Sequence, residues 1–95
     1  MRRLFHVKQL VVEISERNKE KTWVLAGSVE EAQKFYYRFV QFDKTTEFTT
    51  LTKKEAQTIN IYGDNKKFIE TLATRVSRMA NTETPTYLLS QGGEL

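Results

Sequence analysis

Ninety-five residues carry 15 Lys and Arg against 12 Asp and Glu, a formal charge of +3, with 39% hydrophobic residues. That length allows one domain with a thin core, and one Trp, six Phe and four Tyr offer enough apolar area to argue against a chain disordered throughout. Cysteine is absent, which excludes disulfides, thiolate nucleophiles and cysteine-ligated metals, and no apolar run approaches bilayer-spanning length; a cytoplasmic protein with no membrane partner is the expectation.

The start, Met1-Arg2-Arg3-Leu4, resembles the basic end of a signal peptide, but Lys8 and Gln9 interrupt the apolar run one would need. Residues 4–14 read as a first strand, with Leu10, Val12 and Ile14 alternating onto one face. Residues 16–20 are a polar hairpin tip. Residues 21–26 read as a second strand, placing Trp23 and Leu25 on one side and Thr22, Val24 and Ala26 on the other. Gly27 ends it. Ser28 is a good N-cap, and Glu31 three residues on completes a capping box. Val29, Ala32, Phe35, Tyr36, Phe39 and Val40 then recur at helical spacing as one apolar stripe, with Lys34, Tyr37, Arg38 and Gln41 off it.

After a connector at 43–46, residues 47–52 favour a third strand, 53–55 a second hairpin tip and 57–62 a fourth strand. A competing reading has Thr52 cap a helix; the alternation of β-branched and aromatic residues over 58–62 argues for the strand. Gly63 and Asp64 then suggest another stop and cap. Phe68, Ile69, Leu72, Ala73, Val76, Met79 and Ala80 suggest a second helix, which Asn81 and Pro85 would end.

Gly27 recurs as Gly63, Thr22 as Thr58 and Val40 as Val76, at a constant spacing of 36 residues. The expected fold is therefore α+β, a ββαββα pseudo-repeat. It would form a four-stranded, mostly antiparallel sheet with two helices packed on one face, a permuted ferredoxin-like arrangement in spatial order 3-4-2-1. One domain would occupy residues 1–83, from units 4–42 and 46–81, with 84–95 a partly flexible tail whose Tyr87-Leu88-Leu89 would dock on an edge strand or on a partner. Both basic tips would then lie at one end of the sheet and both helix N-termini at the other.

The residues offer little to catalysis. His6 is the single histidine, no serine has a nucleophile-elbow context, and the solitary Gly27 and Gly63 make no phosphate-loop fingerprint. The expectation is a protein that is not an enzyme and takes no cofactor or metal.

Phosphate contact is the leading expectation: a small binding or regulatory module that touches nucleic acid, or a nucleic-acid-handling protein. The candidate residues are Arg2 and Arg3, the tips with Arg17, Lys19, Lys21, Lys53 and Lys54, and Lys66 and Lys67. Lys66 and Lys67 stand where the first copy has Glu30 and Glu31. At a helix N-terminus two lysines oppose the dipole by about 0.3–1 kcal/mol; the plainer and preferred reading is two solvated lysines that tolerate this cost, the alternative an anion site formed with the free amides. The alternative is a protein-binding adaptor or inhibitor, with a second copy of the chain as one candidate partner. It would use an uncovered sheet face with Val24, Asn60 and Tyr62, or Tyr87, Leu88 and Leu89 of the tail.

Overall fold

The computed structural model describes residues 9–17 and 19–91. The chain runs β1 (Leu10–Ser15), β2 (Lys21–Ala26), α1 (Val29–Tyr36), β3 (Glu47–Leu51), α2 (Lys53–Ala56), β4 (Asn60–Tyr62), β5 (Phe68–Thr71), α3 (Leu72–Ser77) and β6 (Thr86–Gln91). It is a small α+β fold. Four strands form an antiparallel sheet in the order β3-β1-β2-β6, and β4 and β5 make a separate hairpin.

The central hairpin is set by its register. Val11 stands opposite Leu25, Val12 opposite Val24 and Glu13 opposite Trp23. Opposed residues of an antiparallel pair share a face. One face therefore carries Val11, Trp23 and Leu25, and the other Val12, Ile14, Val24 and Ala26. Both faces are covered. Ala32 of α1, with Phe35 and Tyr36, packs on the Val24 face. Ala56 of α2, Ile61 of β4 and Leu72 of α3 pack on the Trp23 face, joined by Leu88 and Leu89 of β6. This two-sided burial explains why Trp23-Val24-Leu25-Ala26 is apolar without interruption: a strand covered on one face only would alternate.

Several expectations give way here. The helices lie on opposite faces, so the expected uncovered face with Val24, Asn60 and Tyr62 is not formed. The order 3-4-2-1 is not found, because β3 pairs with β1 and β4 is only three residues long. Residues 53–56 are helical, as the competing reading had it. Thr52 Oγ1 accepts from the Glu55 amide at 3.0 Å, and the Glu55 carboxylate accepts from the Thr52 amide at 2.8 Å. That complete capping box outweighs the strand preference of Thr58 and Ile59.

The second helix begins at Leu72 rather than after Asp64. Residues 63–67 instead make a tight turn: Gly63 N–H donates to Lys67 O, and Lys66 N–H donates to Gly63 O, both at 2.9 Å, with Lys66 in the left-handed region at φ 61°. The turn folds β5 back on β4, and Thr71 is the N-cap of α3. Strand and glycine recur at 36 residues; the helix that follows Gly27 has no counterpart after Gly63.

Residues 86–91, part of the expected partly flexible tail, form the edge strand β6 on β2, so Tyr87-Leu88-Leu89 dock on a strand, as one of the two expected alternatives had it. Its register skips between Trp23 and Val24, which face Leu89 and Tyr87. Leu88 is the extra residue of a β-bulge, so Leu88 and Leu89 both reach the Trp23 side and are only 7% exposed.

Candidate functional site

The basic hairpin tips do not converge. Ser15 opposes Glu47 and Val11 opposes Leu51, so β3 runs away from the 16–20 loop. Lys53 and Lys54 therefore emerge at the opposite end of the sheet from Arg17, Lys19 and Lys21. At the 16–20 end, Lys19 pairs with Glu16 at 3.2 Å and Lys21 with Glu13 at 3.5 Å, and Glu13 also accepts from Trp23 Nε1. Two of the three cations there are neutralised within the chain. Lys66 and Lys67 sit in the β4–β5 turn, not at a helix N-terminus, so the expected helix-end anion site is not formed. Arg2 and Arg3 lie outside the described residues, as does His6.

The partner-surface residues separate likewise. Val24 is fully buried under α1, and Leu88 and Leu89 belong to the core. Asn60, Tyr62 and Tyr87 are exposed. The β4–β5 hairpin shows Tyr62, Phe68 and Ile69 to solvent, with the Tyr62 and Phe68 rings 6.5 Å apart. Gln91 fastens β4 to the sheet: its side-chain amide donates to Asn60 O and accepts from Tyr62 N–H.

The chain instead gathers aromatic and basic residues at the end of α1. The helix stops at Tyr36, and the bonds Arg38 N to Phe35 O and Phe39 N to Tyr36 O close it as a tighter turn. That early stop throws Phe39 out of the core, leaving it 72% exposed; Phe42 is 68% exposed. Tyr37 organises the corner. Its ring lies 5.2 Å from Phe42 and 5.7 Å from Phe48, and its hydroxyl donates to Asp43 O at 3.2 Å. Asp43 is spent on the loop itself. Its carboxylate accepts from the Thr45 amide and hydroxyl, both at 2.8 Å, and these bonds, the amide first, hold it below the usual carboxylate range.

A groove of about 530 Å³ opens here between α1 and β3, lined in part by Gln33, Lys34, Tyr37, Phe42, Lys44 and Phe48. Arg38 adds its guanidinium over Phe39, 5.9 Å from the ring centroid. The four ion pairs among the described residues involve none of Lys34, Arg38 and Lys44. Beneath the corner, the Glu16 carboxylate accepts from Thr46 Oγ1 at 3.4 Å. Burial, then Glu16 through a hydrogen bond and its charge, pushes the Tyr36 hydroxyl above its ordinary range.

No group of acidic or histidine side chains among the described residues is arranged to hold a metal ion, and no helix among them is long and apolar enough to cross a membrane. Comparison with protein-family models, curated proteins and solved structures gives no match for this chain.

Phe39, Phe42 and Lys44 are the residues that sequence reasoning passed over. Phe39 fits the apolar helical stripe, which masks its exposure. The signal was the stretch Lys34-Phe-Tyr-Tyr-Arg-Phe-Val-Gln-Phe-Asp-Lys44 itself. It holds more aromatic side chains than one face of a short helix can bury, with cations between them.

Proposed function

We propose that this chain is a non-catalytic binding module that contacts single-stranded nucleic acid through the corner formed by α1 and the loop after it. The observation that carries this reading is the pair of rings at Phe39 and Phe42, mostly exposed and interleaved with exposed Lys34, Arg38 and Lys44. Bases stack on such rings without regard to sequence, while lysine and arginine follow the phosphates. A duplex would hide the base faces that the rings need. Of the residues first singled out by charge, Lys53 and Lys54 are too far round the sheet to join this surface.

Titration of a labelled single-stranded oligonucleotide at two salt concentrations tests it. Affinity should fall with salt at a slope of roughly 0.7 per phosphate contacted. Phe42→Ala should weaken binding by about 1–3 kcal/mol for the base it stacks. Absence of binding at low salt refutes the proposal.

A second reading, a protein-binding adaptor or inhibitor, has its own observation: the exposed Tyr62, Phe68 and Ile69 on the β4–β5 hairpin. A neighbouring apolar trio on a protruding hairpin is a common docking feature. Capture of a protein partner that survives high salt and is lost with Phe68→Ser would favour this reading over the first.

A further inference from the structure

We infer that the groove between α1 and β3 is a base-reading pocket, in which Glu30 selects guanine from the strand that stacks on the corner. This rests on the single-stranded nucleic-acid reading and adds to it a choice among bases, which stacking rings and cations alone do not supply.

The groove has the make-up of a site for a flat, polar-edged ligand. Tyr37, Phe42 and Phe48 give it aromatic walls, and its volume of about 530 Å³ lies in the range of clefts that hold small ligands. A base turned out of the strand fits such a space. Glu30 and Gln33 add polar groups from the first two turns of α1, three residues apart and so on one side of the helix. Gln33 carries both donors and an acceptor and suits any base edge. A carboxylate only accepts, so Glu30 is the group that discriminates.

Glu30 is also the acid in the groove that the chain leaves unused. Asp43, the other acid of the lining, is spent on the amide and hydroxyl of Thr45. Glu31 already serves the helix end, where its carboxylate accepts from Gly27 N–H. Glu30 is exposed, and none of the four ion pairs among the described residues includes it. Lys34 stands four residues further on, the spacing at which a helical ion pair forms, yet the two do not pair. A carboxylate in this position repels phosphate and favours a neutral group that donates. The phosphates of a bound strand then belong to the cations of the corner, and a base edge belongs to Glu30.

Unpaired bases are read on their Watson–Crick edges. On that edge adenine, cytosine and thymine each present a single donor group beside acceptors. Guanine presents two adjacent donors, its ring N1–H and its exocyclic amino group. Both can bond the two oxygens of one carboxylate, a bidentate and charge-assisted pair. Guanine is therefore the base that a free glutamate in a ring-walled groove prefers.

Fluorescence anisotropy with labelled heptathymidylate strands carrying one central substitution tests this. A central guanine should raise affinity roughly tenfold over central thymine, adenine or cytosine. A central 7-deazaguanine keeps both donors and lacks only N7, so it should bind as guanine does. Hypoxanthine keeps O6 and N7 but lacks the amino group, so it should bind like the other bases. These two separate Glu30 from a lysine or arginine reading O6 and N7. Glu30→Ala and Glu30→Gln should each erase the preference while the all-thymine strand still binds. Equal affinity for every central base, a preference that hypoxanthine shares or 7-deazaguanine loses, or one that survives in both variants overturns the inference and leaves the single-strand reading standing. If no strand binds at low salt, that reading falls and this inference falls with it.

Discussion

The two faces of the sheet are closed in different ways. On the Trp23 side, two short helices and a hairpin meet over Val11, Trp23, Leu25, Leu88 and Leu89, and polar links lock the cover. Arg75 and Arg78 both pair with Glu70, at 2.8 and 2.6 Å, which ties α3 to β5. Gln9 Nε2 donates to Met79 O and Thr82 O, which holds the end of α3 to the start of β1. On the Val24 side a single eight-residue helix does the covering. It is too short for the width of the sheet, and a groove opens along each flank, with Phe39, Phe42 and Tyr87 exposed around them. One face is built for stability, while the other keeps apolar area available for contact.

The sharpest way to break this comparison is a truncation on each side. Leu72→Ala, at a fully buried residue of the closed face, should destabilise the fold by about 2–5 kcal/mol in urea denaturation. Phe42→Ala, on the open face, should change stability by less than about 0.5 kcal/mol while weakening binding. If Leu72→Ala is nearly neutral, the Trp23 side is not a packed core. If Phe42→Ala unfolds the chain, that ring is structural and the binding proposal loses its anchor.

How far this division was legible in the sequence follows from local chemistry. The β1–β2–α1 unit was readable because β-branched runs, a glycine stop and Ser28 all agree. Ser28 Oγ accepts from Glu31 N–H as expected, although the Glu31 carboxylate reaches Gly27 N–H rather than that of Ser28. Beyond residue 52 local signals conflict. Thr52 and Glu55 specify a helix against the strand character of Thr58-Ile59. Phe68 and Ile69 sit at helical spacing from Leu72, yet they are held in β5 by a turn whose geometry rests on Lys66 at positive φ. A Cβ at Gly63 would come within 3.2 Å of Ile69 Cδ1, so the glycine serves that close approach rather than a helix start. The site was hidden for a related reason. Helical periodicity drew Phe39 inward, and only the early end of α1 turns it out.

Thr52→Ala should cost about 1 kcal/mol by removing the α2 cap. A thermal or urea midpoint shift would show it, and no shift would mean that α2 is held by Ala56 packing alone. The smallest effect concerns acid. Hydrogen bonds from Arg78 and then Arg75 bring the Glu70 carboxyl down to about 2, against an opposing effect of burial. A carboxylate whose folded pKa is depressed stabilises the fold above its unfolded pKa, and that contribution is lost as pH falls through the folded value. Stability should therefore decline between about pH 4.5 and 2, and Glu70→Gln should flatten that decline. An unchanged acid limb in Glu70→Gln would show that the clamp does not matter to the closed face.

The most direct measurement of the central claim is a nitrogen-15 NMR titration of the full chain with a short single-stranded oligonucleotide. The account predicts that the perturbed amides cluster in residues 33–48, at the end of α1 and the loop into β3, and leave 53–56 and 66–79 still. Perturbations centred instead on Lys53 and Lys54, on Lys66 and Lys67, or on the β4–β5 hairpin would contradict it, as would a spectrum that does not change.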